Sequence, residues 1–241
     1  MNNAFQRLGL LIGCKDLEKL RHKKVAIIGI GGVGSFTCEA LARCGIENLS
    51  LYDKDCVDET NINRQLIALQ STLGKLKVDV MEARINDINP LAKVKTYPFF
   101  IMEDNIEEYI KDYDFVIDSC DTITAKYAII KHCLEHDIPF VSSMGAANKF
   151  DNTLVEVIDL MDTYNDPLAK ILRIRARKER LKGKIPVVFS SELPCKPHVD
   201  QEEVDKVKNR KKLPLLGSTA FVPPTFGLTC ASYCFQRLLE D

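Results

Sequence analysis

Residues 24–35 read KVAIIGIGGVGS, and this stretch decides the fold of the chain. An apolar run followed by a glycine-rich turn is typical of a buried parallel strand that leads into a helix. Gly29, Gly31 and Gly34 have G-x-G-x-x-G spacing, and Gly32 adds a fourth glycine. Such a turn lets backbone N–H groups approach a phosphate at the positive end of the following helix. Alone, the motif leaves two interpretations open, a nucleotide-binding loop and a tight strand–helix turn.

Apolar strands and amphipathic helices alternate from this loop to residue 142. We therefore expect an α/β fold with a Rossmann-like, doubly wound and mostly parallel sheet, to which the C-terminal half adds antiparallel strands. The first helix should end at Gly45. The predicted strands after the first are 49–52, 94–97, 115–117, 138–142 and 153–160, and the predicted later helices include 124–136, 166–184 and 226–239.

The length and composition predict a single domain of 241 residues with 46% hydrophobic content. We divide it into an N-terminal packing arm at 1–22, a nucleotide-binding core at 23–165, a basic helix and loop at 166–212, and a strand and helix at 213–241. The nine cysteines include no C-x-x-C pair, which argues against structural zinc and against a secreted disulfide framework. Without a signal peptide or a membrane-spanning apolar run, we expect a cytoplasmic protein.

The net charge of −1 leaves any basic surface local. Residues 166–184 carry eight Lys or Arg and one Glu, and residues 206–212 read KVKNRKK. A solvated helix face explains the first run equally well. Together the two runs indicate a surface for a phosphate backbone, such as that of RNA.

Polar residues follow the second predicted strand, in the segment 53–65, DKDCVDETNINRQ. Asp53 lies 22 residues after Gly31, close to the interval at which an acidic residue reaches a ribose hydroxyl. Arg64, Gln65 and Lys77 can converge on a triphosphate, because guanidinium and ammonium groups stabilise charge on a phosphorus under attack. The alternatives are a surface ion pair for Arg64 and a solvated helix lysine for Lys77.

A second acidic segment, Asp118-Ser-Cys-Asp121, follows the fourth predicted strand. A carboxylate at this edge of the sheet can hold Mg²⁺ that bridges phosphate oxygens, and we assign that function to Asp121. Asp121 could instead cap the next helix.

These motifs together resemble the adenylating domain of ubiquitin-activating-type enzymes (ThiF/MoeB/HesA-like), over the whole chain. The nearest branch is the one that dehydrates threonylcarbamoyladenosine in tRNA. The features that point to this branch are R-x-x-L-L-I-G at 7–13, S-S-M-G-A at 142–146, D-P-L-A-K at 166–170 and G-S-x-x-F-V-P-P-x-x-G-L at 217–228.

The resemblance implies ATP and Mg²⁺ as cofactors, tRNA as substrate, a homodimer, and a possible sulfur-transfer partner protein. It implies catalytic roles for Arg7, which would reach into the partner's site, and for Arg64, Lys77 and Asp121, with Asp121 as the metal ligand. The implied ATP-binding residues are Gly29, Gly31, Gly32, Gly34, Ser35, Asp53, Asp55, Asn61, Arg64, Gln65, Lys77, Asp118 and Asp121.

The implied reaction forms an acyl-adenylate on the threonylcarbamoyl carboxylate, which then cyclises within the same base and needs no enzyme nucleophile. Cys195 is the nearest candidate for a covalent thiol, in a loop-like S-E-L-P-C-K-P context. The alternatives are adenylation of a ubiquitin-like sulfur-carrier protein, a non-catalytic nucleotide-binding scaffold, and an NAD-dependent dehydrogenase. The absence of C-x-x-C zinc pairs disfavours the sulfur-carrier activator.

Overall fold

A computed structural model describes residues 3–198 and 216–240, which form one seven-stranded sheet with helices on both faces. The strands are β1 (Lys24–Ile28), β2 (Asn48–Tyr52), β3 (Lys93–Tyr97), β4 (Phe115–Asp118), β5 (Phe140–Ser143), β6 (Val155–Asp159) and β7 (Pro186–Ser190). The helices are α1 (Gln6–Ile12), α2 (Cys14–His22), α3 (Gly34–Arg43), α4 (Lys77–Ile88), α5 (Ile106–Tyr109), α6 (Ile123–Glu135), α7 (Pro167–Lys178) and α8 (Val222–Glu240).

The sheet has the order β3-β2-β1-β4-β5-β7-β6, and all its pairings are parallel except that of β6 with β7. The predicted Rossmann-like topology is therefore confirmed, as is the antiparallel strand in the C-terminal half. The strand order reverses between β1 and β4, and a ligand cleft is expected beyond the carboxyl ends of these two strands.

Alternating residues of β1 supply two separate apolar layers. Val25 and Ile27 pack with α3, α4 and α8, whereas Ala26 and Ile28 pack with α6 and α7. Both faces of the central strand are thus covered, which explains why its sequence is continuously apolar rather than alternating. Helix α3 ends before Gly45, whose φ of +78° is the left-handed conformation that terminates helices.

The N-terminal arm is split at Gly13, which has a φ of +87°, into the two helices α1 and α2. Leu17 and Leu20 of α2 are buried, as a packing arm requires. Leu10 and Leu11 of α1, by contrast, are about four-fifths exposed, at 83% and 80%. Within residues 3–198 and 216–240, no helix is both long and apolar enough to cross a bilayer.

Two predicted helices in the C-terminal half have wrong bounds, and one strand was not predicted. The basic helix stops at Lys178 rather than 184, because Arg180 (φ +55°) and Gly183 (φ +107°) are left-handed. Strand β7 follows directly and was not predicted. Helix α8 begins at Val222 rather than 226, since prolines fit the first turn of a helix, where no N–H partner is needed.

The predicted strand within 213–241 is absent from residues 216–221, which form a loop before α8. Residues 213–215 lie outside the described residues, and so does the basic loop predicted at 206–212.

Candidate active site: a nucleotide cleft at the switch point of the sheet

The glycine loop after β1 is folded closely against the loop after β4. A Cβ on Gly29, whose φ is +89°, would lie 2.8 Å from the carbonyl oxygen of Ser119, and one on Gly34 would overlap the carbonyl of Gly29. Only glycine fits these two positions. A Cβ on Gly31 would meet nothing nearer than the side-chain nitrogen of Gln65 at 3.7 Å. The fold therefore does not require glycine at 31, whereas a phosphate lying against the loop would.

Asp53 connects the end of β2 to the glycine loop. Its carboxylate accepts hydrogen bonds from the backbone N–H of Ile30 at 2.7 Å and of Asp55 at 2.9 Å. Burial raises the pKa of this carboxyl, and Lys77 and the two N–H donors only partly oppose that effect. Asp53 is thus held beside the first glycines, at the position from which an acidic residue meets a ribose in this type of fold.

Lys77, at the start of α4, extends back over the same cleft. Its ammonium lies 3.1 Å from a carboxylate oxygen of Asp55, and the lysine side chain is 8% exposed while that of Asp55 is 50% exposed. One end of this ion pair is therefore open to solvent. The ammonium can exchange the carboxylate for a phosphate oxygen without leaving its place.

Asn61, Arg64 and Gln65 belong to one tight turn opposite the glycine loop. The side-chain oxygen of Asn61 accepts from Asp58 N–H at 3.1 Å, and the backbone carbonyl of Asn61 accepts from both Arg64 and Gln65. The side chain of Arg64 lies 3.4 Å from the position of a Cβ on Gly32. Its guanidinium donates only to neighbours in the turn, the carbonyl of Thr60 and the side chain of Asn63. No carboxylate among the described residues pairs with Arg64, so the predicted surface ion pair is not seen.

Two further residues support this turn or face the cleft. Ser35 is buried, donates to the Gly31 carbonyl at 2.7 Å and accepts from Leu66 N–H at 3.2 Å, and so joins the glycine loop to the turn. The side-chain oxygen of Gln65 is buried and receives no hydrogen bond from the described residues. A buried polar atom of this kind is unfavourable unless a ligand or water satisfies it.

Asp118 points into the protein rather than into the cleft. It is fully buried and paired with the ammonium of Lys126 at 2.9 Å. One of its oxygens also accepts from Ser142 at 2.5 Å, and the other accepts from the backbone N–H of Cys120 at 3.2 Å. Burial lowers the pKa of Lys126, but the charge of Asp118 outweighs that effect and the pKa is raised overall. Both carboxylate oxygens are occupied, so the geometry makes Asp118 a support for the loop rather than an ATP contact.

Asp121 is exposed in the loop that the Gly29 backbone touches, at the start of α6. Thr122 donates to it weakly, at 3.4 Å. It makes no N-cap hydrogen bond to α6, so the alternative of a helix cap is not seen. A carboxylate that is both exposed and nearly unpartnered fits the hard oxygen ligand that Mg²⁺ prefers.

Arg7 lies far from the glycine loop of its own chain. Phe5, two residues before it, packs near Gly45, where β2 is about to begin. Phe5 is thus at the amino-terminal ends of the strands, whereas the cleft is at their carboxyl ends. A five-residue strand separates the two by roughly 17 Å. The side chain of Arg7 is exposed there. The structure therefore does not bring Arg7 together with the other predicted site residues within one chain.

Sequence reasoning missed a buried cluster at the end of β5. Asp166 accepts from the backbone N–H of Gly145 at 3.0 Å and of Ala169 at 2.9 Å, and lies 3.6 Å from the ammonium of Lys149. Burial lowers the pKa of Lys149 despite this carboxylate. The Asp166-Pro167 pair signals a helix start, but nothing local in the sequence indicates that Lys149 is buried.

The loop before α8 and the first turn of α8 close the cleft on one side. Sequence reasoning did not include them in the site. Asn63 donates to the carbonyl of Ser218 at 3.0 Å, and Pro223 lies 3.1 Å from the position of a Cβ on Gly32. Cys195 lies in a neighbouring loop, where its N–H bonds the Asn148 carbonyl at 2.8 Å, and its side chain is exposed.

Comparison with known proteins matches this geometry to one enzyme family. The chain is 47% identical to a tRNA threonylcarbamoyladenosine dehydratase of Bacillus subtilis. The alignment has 246 positions and covers 100% of this chain and 96% of the relative. It is 36% identical to the Escherichia coli enzyme of that name, over 95% of this chain and 91% of the relative.

Crystal structures of the E. coli tRNA N6-threonylcarbamoyladenosine dehydratase have been solved in complex with ATP and with AMP. They match this structure with TM-scores of 0.87 and 0.88 at 34% and 35% identity, over 98% of this chain and 94% of theirs. The model of the ThiF family matches residues 5–241. The chain therefore belongs to the ThiF family of adenylating enzymes.

Proposed function

We propose that this protein uses ATP to dehydrate threonylcarbamoyladenosine in tRNA, through an acyl-adenylate. The observation that carries the proposal is the set of Arg64, Gln65 and Lys77 around the glycine loop, in a chain similar to tRNA dehydratases over its full length. A hydride-transfer enzyme would need an open face beside the loop for its nicotinamide, whereas here the side chains of Arg64 and Gln65 lie beside the loop glycines.

The reaction has two steps, adenylation and cyclisation. A carboxylate oxygen of the threonylcarbamoyl group attacks the α-phosphorus of ATP, which forms a mixed anhydride and releases pyrophosphate. A nitrogen or oxygen of the same modified base then attacks the activated carbonyl, and AMP leaves with the carboxylate oxygen while a proton is released. Because the second nucleophile belongs to the same molecule, its orientation in the cleft can supply much of the rate.

The basic side chains of the cleft act on the phosphates. Lys77 exchanges Asp55 for a phosphate oxygen, and Arg64, which has no acidic partner among the residues that the structure describes, neutralises charge as pyrophosphate departs. Asp53 binds the ribose. The loop glycines and Gln65 contact the nucleotide directly, while Ser35 and Asn61 hold the loop and the turn in position.

Asp121 is the residue that would hold Mg²⁺, since its carboxylate is exposed in the loop next to the glycines. When bound there, Mg²⁺ neutralises charge on the phosphate oxygens. Asp118 contributes by fixing the shape of this loop through Lys126 and Ser142.

The exposed face of α7 is the proposed tRNA surface. Lys170, Arg177 and Lys178 are exposed, and the helix starts beside the carboxyl end of β5, next to the cleft. Replacing these three residues by Glu should weaken tRNA binding and reduce its dependence on salt, because fewer counterions are released from the RNA. Filter-binding assays at several salt concentrations measure both effects. An unchanged affinity and slope would exclude this surface.

We propose a homodimer in which Arg7 enters the partner's cleft. The support is the position of Arg7 away from its own glycine loop, together with the exposed Leu10 and Leu11 on the same helix, which an interface would cover. Mixing inactive Arg7→Ala and Lys77→Ala proteins then creates heterodimers with one intact site, and about a quarter of the activity returns. If the mixture stays inactive after subunit exchange, Arg7 does not act across an interface.

The proposed home of the enzyme is the reducing cytoplasm, where tRNA is present and thiols such as Cys195 stay reduced. A Cys195→Ser variant tests both a covalent thiol step and transfer from a sulfur-donor partner. We expect it to keep full activity, because intramolecular cyclisation needs no enzyme nucleophile.

The decisive assay incubates the protein with ATP and tRNA that carries threonylcarbamoyladenosine, and analyses the digested nucleosides by mass spectrometry. The modified nucleoside should lose one water while AMP and pyrophosphate accumulate. If no water is lost, but pyrophosphate exchange appears when a Gly-Gly-ending carrier protein is added, the substrate is a sulfur carrier instead. If neither occurs, the protein is a scaffold.

A further inference from the structure

Two histidines and a glutamate lie close together at the amino-terminal ends of the strands, away from the nucleotide cleft. His132 and His136 are four residues apart at the C-terminal end of α6, and Glu107 is on α5. The imidazole and carboxylate atoms of the three residues all lie within 4.8 Å of one another. Helix α6 has 13 residues, so this cluster is roughly 20 Å from Asp121 at the other end of the helix. The proposed dehydration makes no use of it.

Backbone carbonyls fix which nitrogen of each histidine carries the proton. Nε2 of His132 lies 2.7 Å from the carbonyl of Ile110, and Nδ1 of His136 lies 2.9 Å from the carbonyl of His132. Because a carbonyl only accepts hydrogen bonds, these two nitrogens must donate. In the neutral rings the remaining nitrogens, Nδ1 of His132 and Nε2 of His136, then carry lone pairs.

Both lone pairs face the carboxylate of Glu107. Nδ1 of His132 is 3.3 Å from one of its oxygens, and Nε2 of His136 is 3.5 Å from the other. Lone pairs that face a carboxylate repel it unless a positive charge lies between them. A histidine ligand of a metal typically donates its second N–H to a carbonyl in this way, which orients the ring.

The distances match the coordination sphere of a small divalent ion. Zinc bonds to imidazole nitrogen and carboxylate oxygen are about 2.0–2.2 Å long, so two ligand atoms of a tetrahedral site lie about 3.3–3.5 Å apart. The contacts of the two imidazoles with Glu107, each to a different carboxylate oxygen, are 3.3 and 3.5 Å long, and all the ligand atoms lie within 4.8 Å of one another. Paired histidines and a carboxylate are ligands that suit zinc, cobalt and nickel.

Beside the cluster lie a carboxylate that has no basic partner among the described residues and enough empty space for an ion. Glu107 and His132 line a cavity of about 360 Å³ whose wall also includes Glu103. The two basic side chains of the cavity have acidic partners of their own, since Lys131 lies 4.0 Å from Glu135 and Arg175 lies 3.0 Å from Glu179. A fourth coordination position facing the cavity can hold water.

We propose that Glu107, His132 and His136 bind a divalent transition-metal ion of the zinc class, which fastens α5 to the end of α6. The site has three protein ligands, and His132 is its buried anchor, with a side chain only 4% exposed. The ion stabilises this edge of the sheet and takes no part in the chemistry of the cleft.

The test uses the full chain, stripped of metal with a chelator and titrated with Co²⁺ and with Zn²⁺. Cobalt should give visible absorption bands for one site, without the charge-transfer band that thiolate ligands produce. Zinc should raise the melting temperature. His136→Gln and Glu107→Gln change exposed side chains, so the variants should fold, and each should weaken cobalt binding at least tenfold and abolish the shift in melting temperature.

His22→Gln is the matched control. Like the histidines of the cluster, His22 contacts a glutamate, Glu18 at 3.2 Å, but no second histidine among the described residues is near it to complete a metal site. It should leave the cobalt spectrum unchanged. The proposal is wrong if cobalt does not bind, if it binds only through thiolates, or if His136→Gln binds it as well as the wild type. It is also wrong if ¹⁵N NMR of the Zn²⁺-loaded protein shows that Nδ1 of His132 or Nε2 of His136 still carries a proton, because a nitrogen that ligates a metal must be deprotonated.

Discussion

Two lysine–aspartate pairs lie near the carboxyl ends of β4 and β2, the strands on either side of β1, and have opposite surroundings. Lys126 and Asp118 are 2.9 Å apart with side chains 1% and 0% exposed, whereas Lys77 and Asp55 are 3.1 Å apart with side chains 8% and 50% exposed. Asp118 has further donors in Ser142 and the Cys120 backbone. The first pair is enclosed and satisfied within the protein, and the second is open on its acidic side.

This difference separates support from function. A buried pair cannot release either partner, because the remaining charge would be left without solvent or a counterion. The second pair contributes less to folding, since water competes for the exposed Asp55 carboxylate. In the proposed reaction Lys77 would therefore move its charge to ATP at low cost, while Lys126 holds the loop after β4 in one shape.

The largest expected effect is that of breaking the enclosed pair. Lys126→Ala leaves the Asp118 carboxylate buried and unpaired, and should lower the free energy of unfolding by about 3–5 kcal/mol. Urea denaturation measures this loss. The double variant Asp118→Asn with Lys126→Met removes both charges and should recover more than half of it. A loss below about 1 kcal/mol in the single variant would mean that the pair is not a structural support.

The next effect is on catalysis and involves the open pair. Lys77→Ala should lower kcat/KM for ATP by about 10²–10³-fold, through lost stabilisation of phosphate charge, while its free energy of unfolding changes by only about 1 kcal/mol. Steady-state pyrophosphate release measures the rate.

Lys54→Ala is the control for this variant, because Lys54 is an exposed lysine next to Asp53 whose ammonium lies 4.4 Å from the centre of the Phe100 ring. It should retain nearly all activity. If the two variants lose activity equally, the effect is general electrostatics rather than a defined contact of Lys77.

The smallest effect is the pH dependence of the enclosed pair. Because Asp118 raises the pKa of Lys126 above that of an ordinary lysine, against the opposing effect of burial, the pair stabilises the fold fully below the unfolded-state pKa of about 10.4. That stabilisation is lost as the pH rises through the folded-state pKa. The difference in unfolding free energy between the wild type and the double variant should thus be constant from pH 6 to about 9 and shrink above about 10.4. A difference that already falls near neutral pH would contradict the pairing.

Much of the fold could be predicted from the sequence, because the signals were local. The first five strands were predicted to within about two residues from their apolar runs, and the glycine spacing marked the turn after β1. Strand β7 was missed because Pro186 opens it and a basic segment precedes it, and neither is typical of a central strand. Its place beside β5 is set by pairing with distant residues, which sequence patterns do not show.

The site was predictable only in part, for the same reason. The sequence predicts Asp53 from its spacing to Gly31, and it predicts Arg64 and Lys77 from the affinity of guanidinium and ammonium groups for phosphate. Asp118 follows a strand end, as Asp53 does, and the sequence therefore predicts it to contact ATP as well. Its orientation depends on Lys126 and Ser142, which only the tertiary fold places beside it. The contact of Asn63 with Ser218 likewise joins residues 155 positions apart.

The central claim is that the cleft presents the α-phosphorus of ATP to a carboxylate. It is tested most directly by preparing tRNA whose threonylcarbamoyl carboxylate carries ¹⁸O, and by following the label after turnover. An acyl-adenylate that cyclises must leave one labelled oxygen on AMP. Mass spectrometry of the nucleotides should therefore detect ¹⁸O in AMP and none in pyrophosphate. Label in inorganic phosphate together with ADP, or AMP without label, would contradict adenylation of the carboxylate.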